Sequence, residues 1–538
     1  MGILTLPALR KIVLGVWVLG VAAFAPAKRL SANVDSPSTP EQRGERIYRD
    51  GMGASGNPIA LRLGQDERVS GRVVVVCANC HGRDGRGRRE GAVTPSDIRW
   101  EVLTNAIVAA LPGARTRSSY TARTFVRALT LGLDPDGTKL SPIMPRFELA
   151  AGDVADLLAY IKSIGSLRDP GVTSTSVRIG VIVPPIETAP ELGNEIVHLM
   201  NDYFGSLNKS GGIHRRDIEV HPLVLPLRLS DRSRAVEEFV SNENPFAMVG
   251  STLAGNDEQE VHRVFASNAI PIVGAMSPSQ RWQSDWDSSP YYLFPGMADQ
   301  ARGLLAHLES PEDRSRSQVV VFDRGEVGEG LFRSSIRTIA EQMGYASVIE
   351  VSGQPGIDDL AATLSKAAGI TRRSLFLTQF SRDDGPWIGS FRQRFPVAKV
   401  MTLAERVDAS LFTQPMPDSG KMYLSFPLLS SDQSPLEMRE YQALALRLQL
   451  SDTHRTTHLA VLASARLFAE ALSRCGPDLS RERLKESLEE LSDFQSGLCP
   501  PLNYQKGRRV GTGGIHIVEA DFSLNSLNQL GWFSVFAP

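Results

Sequence analysis

The chain carries almost no net charge, −2 over 538 residues. A nucleic-acid partner, which would favour a basic domain or stripe, is therefore not expected. There is no internal repeat and no low-complexity tract. Beyond the N-terminus no apolar run approaches the about 18 residues that a spanning helix needs. A dinucleotide fingerprint, a nucleophile–base set and a second metal-ligand pair are all missing, so nothing points to an enzyme. Cysteine is scarce, with four in the whole chain, and none lies near a leader cleavage site, which argues against a lipoprotein.

What is present starts with a leader. Arg10 and Lys11 precede the apolar run "IVLGVWVLGVAAFA" (12–25), which is followed by small-residue cleavage sites at Ala23-Phe24-Ala25 and Ala25-Pro26-Ala27. This pattern predicts a secretory signal peptide over residues 1–27, the alternative being an uncleaved anchor. The mature chain is expected to be soluble and periplasmic, with no membrane span. In an oxidising compartment Cys475 and Cys499, the even pair outside the motif below, are expected as a disulfide, with two free buried thiols as the alternative.

A chain of this length is too long for one compact domain. Two breaks divide it: the polar stretch "SANVDSPSTPEQRGE" after the leader, and "RDPGVTSTS" at 168–176. The first domain is set at 40–168. From "VRIGVIVPP" (177–185) onward, β-branched runs alternate with amphipathic segments: "FAMVGS" (246–251), "AIPIVGA" (269–275), "SQVVVFD" (317–323), "SLFLTQF" (374–380) and "VAKVMTL" (397–403). Alternation at this spacing predicts parallel sheets with helices on both faces, and residues 177–538 are too many for one such sheet.

In the first domain "CANCH" places Cys77, Cys80 and His81 within five residues. C-x-x-C-H reads as a c-type haem attachment: one helical turn presents both sulfurs to the two vinyl groups of a porphyrin, and the imidazole of His81 faces the iron. A zinc half-site would need a second ligand pair, which does not follow. "GERIYRDG" (44–51), "CANCHGRDGRG" and "LTLGLDPDGTKLSPIMPRFELAAGDVADLLAYIKSIGS" together resemble class I cytochromes c. The resemblance implies an all-α domain, one covalently attached haem c, and Met144 as the iron's sixth ligand opposite His81, with Met52 as the rival. Methionine ligation raises the potential relative to two histidines and suits an electron carrier. A departure from the short members of that family is the insertion at 52–76, in which "PIALRLG" and "RVVVVC" are expected to form a hairpin. The arginines of "GRDGRGRREG" (Arg83, Arg86, Arg88, Arg89) either steer an acidic partner or form a solvated loop.

The remainder resembles type I periplasmic binding proteins of the branched-chain amino acid group, on "VRIGVIVPPIETAPELGNEIVHLMNDYFGSLNKSGGIHRRDIEVHPL", "MVGSTLAGNDEQEVHRVFASNAIPIVGAMSPSQ", "YYLFPGMADQARGLLAHL" and "VVVFDRGEVGEGLFRSSIRTIAEQMGY". This implies an α/β domain of two Rossmann-like lobes, lobe one at about 177–297 plus part of 425–500, and lobe two at about 300–424 plus the C-terminal segment. Ligands of open parallel sheets bind beyond the carboxyl ends of the strands, where the sequence offers Ser251, Thr252, Ser277, Ser279, Gln379 and Glu405. The resemblance implies that Ser251, Thr252 and Ser277 hold a ligand carboxylate and that Glu405 holds its ammonium. For the serines, helix N-capping is the alternative. Val327 and Phe380 stand where the family has aromatic or tyrosine residues, so an amino acid or another small acid is expected rather than fixed. The functional expectation is a periplasmic c-type cytochrome exchanging single electrons with a redox partner protein (a dehydrogenase or terminal acceptor), its binding module serving docking or substrate recognition. The alternative is a solute-binding protein of the ABC-transporter type, or a sensor, that carries a haem.

Overall fold

The computed structural model describes residues 3–5, 39–63, 67–69, 76–87, 95–107, 116–165, 168–253, 258–278, 290–324, 329–413, 416, 420–505 and 507–535. Of the expected leader only Ile3–Thr5 is described, as a short strand (β1). The chain divides into two compact units, Pro26–Asp169 and a larger one made of Met1–Ala25 and Pro170–Pro538.

The N-terminal unit contains α1 (Pro40–Asp50), β2 (Ala60–Leu63), β3 (Glu67–Val69), α2 (Cys77–His81), a single turn at Trp100–Leu103, α3 (Ala122–Leu131), β4 (Arg146–Glu148) and α4 (Ala151–Ile164). Helix α1 starts where Thr39 accepts the Gln42 amide at 3.2 Å and Pro40 sets the first turn, a capping box that fixes the entry of the chain. Helices α1 and α4 cross at Gly44, where a Cβ would run into the Asp156 carbonyl. The crossing is held by a bidentate pair, Arg43 Nε and Nη2 donating to the two Asp156 oxygens at 2.7 Å each, and by the Tyr48 and Tyr160 rings 5.3 Å apart. One apolar core, with Ile47, Phe125, Leu129, Leu157 and Ile161 at its centre, unites the helices.

The expectation of an all-α domain is corrected here. The insertion and the Met144 loop build a small antiparallel sheet in the order β3-β2-β4, with Leu61 opposite both Val69 and Phe147. A hairpin forms from "PIALRLG", but its second strand is Glu67–Val69 rather than the expected "RVVVVC"; residues 70–75, most of that segment, lie outside the described residues. A charged pair across the sheet, Arg62 to Glu148 at 3.0 Å, closes its solvent side.

The larger unit holds two sheets. The first is parallel throughout, in the order β6-β5-β7-β8-β9, built from β5 (Ser176–Val183), β6 (Asp217–Val224), β7 (Ala247–Val249), β8 (Ile272–Ala275) and β9 (Tyr291–Tyr292). The second runs β1-β16-β15-β14-β13-β12-β10-β11, from β10 (Ser317–Asp323), β11 (Ser347–Ser352), β12 (Arg372–Leu377), β13 (Lys399–Leu403), β14 (Lys421–Phe426), β15 (Gly514–Asp521) and β16 (Ser526–Ser534). Its β10–β14 stretch is parallel, and β14, β15, β16 and β1 then alternate in direction. Strands covered on both faces read as unbroken apolar runs, and all seven residues of β10 are buried.

Helices α5 (Leu192–Lys209), α6 (Glu258–Ser267), α8 (Pro435–Leu448) and α9 (Arg455–Arg474) cover the first sheet, and α7 (Met297–Leu308) opens the second lobe. The apolar cores therefore join residues 177–293 with 428–504, and 301–426 with 515–535. The chain crosses between the lobes three times. Two crossings are hydrogen-bonded side by side: Tyr292 N donates to Arg509 O at 2.7 Å, Gly511 N to Tyr292 O at 2.8 Å, and Thr512 N to Leu293 O at 2.9 Å. Helix α9 packs closely on β8 because Gly274, at φ 69°, leaves room for Ser464, whose hydroxyl donates to the Gly274 carbonyl at 2.9 Å.

Candidate functional site

In the N-terminal unit, α2 is one turn long and carries Cys77, Cys80 and His81 together. Neither cysteine is in a disulfide, and burial pushes the Cys77 thiol up to about 12. His81 Nδ1 donates to the Ser96 carbonyl at 2.9 Å, while burial lowers its pKa and that bond opposes the shift. A neutral ring with its proton on Nδ1 keeps the Nε2 lone pair for a metal. Tyr48 donates to the Gly82 carbonyl at 2.7 Å and ties the end of α2 to α1.

Cys77, Met144 and Phe147 all pack against the core described above. A small recess beside them is lined by Ile47, Gly51, Ile59, Cys77, Phe147, Leu149 and Leu157. Met144 sits half-buried directly before β4, and the Arg146 guanidinium donates back to the Met144 carbonyl, so the sheet that the sequence reading lacked anchors the methionine loop. Met52 is bridged to Pro58. In the arginine loop Arg86 pairs with Asp84 at 3.4 Å; Arg88 and Arg89 lie outside the described residues.

The expected ligand residues of the larger unit do gather at strand ends, but several hydroxyls are already engaged. Ser251 is completely buried and accepts from Ile182 N–H at 3.2 Å. Thr252 donates to the Ile182 carbonyl at 3.2 Å. These two side chains brace β5 against the end of β7. Ser277 donates to the Glu258 carboxylate, which also accepts from Tyr292 OH at 2.9 Å. Glu258, buried at the start of α6, was not anticipated; only its place three residues before an apolar helical face would have flagged it. Ser279 and Val327 lie outside the described residues.

In the other lobe Gln379, just past β12, is half-buried, and its amide has no hydrogen-bond partner among the described residues. Glu405 follows β13 in a short helical turn. Burial pushes its carboxyl up to about 7, against the pull of Arg406 and of Gln300, whose amide lies 3.5 Å away. Gln300 is itself fixed by Ser425 Oγ at 3.0 Å. Phe380 is fully buried against Phe522 and belongs to the core.

The expected disulfide is not formed. Cys475 and Cys499 are both free and buried, and each thiol has its own neighbours. Cys475 donates to the Ala471 carbonyl at 3.2 Å, and Cys499 lies 3.2 Å from Ser496 Oγ. Each sulfur is satisfied locally, and the even count of cysteines held no information about their distance.

Among the described residues no helix is long and apolar enough to cross a membrane. The fold is similar to solved binding proteins of low identity. One is a substrate-binding periplasmic protein from Ralstonia solanacearum, at 17% identity over 65% of this chain and 99% of that one, TM-score 0.43. Another is a branched chain amino acid ABC transporter from Thermus thermophilus with bound valine, at 13% over 67% and 97%, TM-score 0.46. A third is a putative branched-chain amino acid ABC transporter protein from Rhodospirillum rubrum, at 15% over 64% and 97%, TM-score 0.48. No curated protein matches the chain. The sequence profile described as periplasmic binding protein matches residues 176–524. The chain accordingly belongs to the periplasmic binding protein family, whose members are exported ligand-binding proteins and not enzymes.

Proposed function

We propose that the protein is an exported small-molecule-binding protein whose ligand carries a positive charge, held between the strand ends of the two lobes. The observation that carries this reading is the distribution of carboxylates. Glu405 is a half-buried acid just past β13, and Gln379 lies half-buried just past the neighbouring strand β12, a setting that favours a ligand ammonium. On the other lobe the Ser277 hydroxyl already serves Glu258, so a ligand carboxylate there would meet a like charge. Of the amino acid or other small acid expected from the sequence, an amino acid whose carboxylate is held elsewhere, or a simple amine, fits this pattern better than a small acid without an ammonium. Thermal-shift and calorimetric titration with primary amines, neutral amino acids and dicarboxylates tests it. Amines should raise the melting temperature and Glu405→Gln should abolish the rise. Binding of a dicarboxylate, unaffected by that substitution, would overturn the assignment.

A second reading stands on the N-terminal unit: it holds haem c and exchanges single electrons with a periplasmic partner protein. The observation favouring it is the single turn that presents Cys77, Cys80 and an His81 ring already oriented by the Ser96 carbonyl. The residues fit the group: two cysteines outside any disulfide for thioether links, one imidazole whose Nδ1 is taken by the Ser96 carbonyl, a thioether in Met144, and an apolar recess lined in part by Cys77. Once bound, the group supplies a one-electron couple. His81 and Met144 would hold the iron, and the apolar lining would exclude water, which suits transfer more than catalysis. The test is visible spectroscopy of the exported protein. Colour that survives acid-acetone extraction, with a weak band near 700 nm lost in Met144→His, supports it; a colourless mature chain refutes it.

A further inference from the structure

The structure assigns a further site in the first lobe: Glu195, His454 and His458 form a binding site for a divalent transition cation, of which Zn²⁺ is the best match. Glu195 lies in the first turn of α5 and is 7% exposed. His454 ends the short turn that leads into α9, and His458 lies one helical turn later, so both imidazoles fall on one face. Residues separated by more than 250 positions thus converge. His454 Nδ1 is 2.6 Å from Glu195 Oε2, and His458 Nε2 is 3.1 Å from the same oxygen. All three candidate ligand atoms lie within 4.8 Å of one another. A tetrahedral ion with ligands at about 2.0–2.1 Å sets neighbouring donors about 3.3–3.4 Å apart, so seating it requires the His454–Glu195 pair, now 2.6 Å apart, to open by about 0.7 Å while the His458–Glu195 distance changes little.

The surroundings are those of a built site. Glu195 Oε1 accepts from Ser451 N–H at 2.6 Å, which leaves Oε2 as the single ligand atom of the carboxylate. His458 is fully buried, and its other nitrogen, Nδ1, is 3.0 Å from the Tyr441 hydroxyl on α8. An outer partner of that kind orients a metal-binding imidazole and sets its tautomer. His454 retains 22% side-chain exposure, so a fourth position is accessible from its side. Burial pushes the Glu195 carboxyl up, but the Ser451 N–H and both imidazoles outweigh it and hold the group below its usual range. Among the described residues no Lys or Arg pairs with this carboxylate, whose ion-pair partners are the two imidazoles, so a dication would supply the missing positive charge. Two imidazoles and one carboxylate select Zn²⁺ and its first-row neighbours over Ca²⁺ or Mg²⁺, which take all-oxygen sets. Such an ion would clamp α5, α8 and α9 together, and it does not depend on the function proposed above.

The test uses the full chain without an affinity tag. The protein is stripped with chelator, incubated with ZnCl₂, gel-filtered and assayed for bound metal, with X-ray absorption at the zinc edge reading the ligands. The expected result is one zinc per chain with nitrogen and oxygen ligands and no sulfur, which separates this site from Cys77 and Cys80. His454→Ala, at the most exposed ligand, should remove the zinc while circular dichroism in chelator stays unchanged. Glu195→Gln keeps the shape but not the charge and should also lose it. Tyr441→Phe should weaken binding by roughly 10–100-fold, as for other outer partners of metal-bound histidines. Sulfur ligation, no retained zinc, or equal retention by wild type and His454→Ala would each overturn the assignment and leave a hydrogen-bonded Glu–His–His latch.

Discussion

The two units keep their chemistry in opposite ways. In the N-terminal unit the decisive groups are neighbours in the chain: Cys77, Cys80 and His81 fit on a single turn, and the fold only has to bring Met144 to the same core. In the two-lobed unit they are scattered, and what each can do depends on what it meets. Ser251, Thr252 and Ser277 have the same hydroxyl as any ligand-binding serine or threonine, yet all three are held by β5 or by Glu258. Spacing therefore reports on sites made within one element, whereas sites assembled between elements are decided by competition for hydrogen bonds, which a sequence does not display.

Substitutions confined to one unit should sharpen this contrast, because each unit has its own core. The largest effect is expected for Cys77→Ser combined with Cys80→Ser: complete loss of covalently held pigment, read by haem staining of a denaturing gel, with ligand-induced thermal shifts of the lobes unchanged. Loss of both together would break the separation. Next comes Phe468→Ala on α9. Phe468 is fully buried and meets Phe204 edge to face at 6.2 Å, so truncation should cost about 3–5 kcal/mol. Chemical denaturation followed by tryptophan fluorescence should show this while the visible spectrum stays constant. Gly44→Ala reverses the pattern. The added methyl forces α1 away from α4, at about 1–3 kcal/mol for overpacking, and the unfolding midpoint read in the haem band should fall while that of the lobes does not.

Much of the larger unit was legible because its strands are buried on both faces. "SQVVVFD" became β10 without a residue's difference, and "VAKVMTL" and "SLFLTQF" overlap β13 and β12. What failed to show was short or long-range. β9 is two residues long and exists through its pairing at the crossings between lobes. The β2-β4 pairing joins residues more than 80 positions apart. Nothing in the periodicity near Glu195 announces His454 and His458, which linear spacing does not join to it although their ligand atoms lie within 4.8 Å of one another. Cys475 and Cys499 failed in the other direction: an even count suggested a bond, and local partners took both sulfurs.

The smallest expected effect probes how far a scattered site can be read from one group's protonation. The folded Glu405 carboxyl is raised to about 7, above the about 4.3 of an unfolded glutamate. A raised carboxyl means that the native state binds more protons than the unfolded one between those values, so its stabilising share is whole below about 4.3 and declines as pH rises through about 7. The slope is at most about 1.4 kcal/mol per pH unit. Glu405→Gln has no proton to lose, so its melting temperature relative to wild type should climb between pH 5 and pH 8. Asp299, buried on α7 and likewise raised to about 7, contributes equally to both proteins, so the difference between them isolates Glu405. An ammonium seated beside this carboxyl would stabilise its charged form and pull its pKa down. Ligand binding near pH 6 should then release a proton, visible as a calorimetric enthalpy that changes with the ionisation heat of the buffer, and affinity should rise towards pH 8. An enthalpy independent of buffer would mean that Glu405 faces no cation, and the lobes would then resemble the N-terminal unit in keeping their binding chemistry elsewhere than at the scattered strand ends.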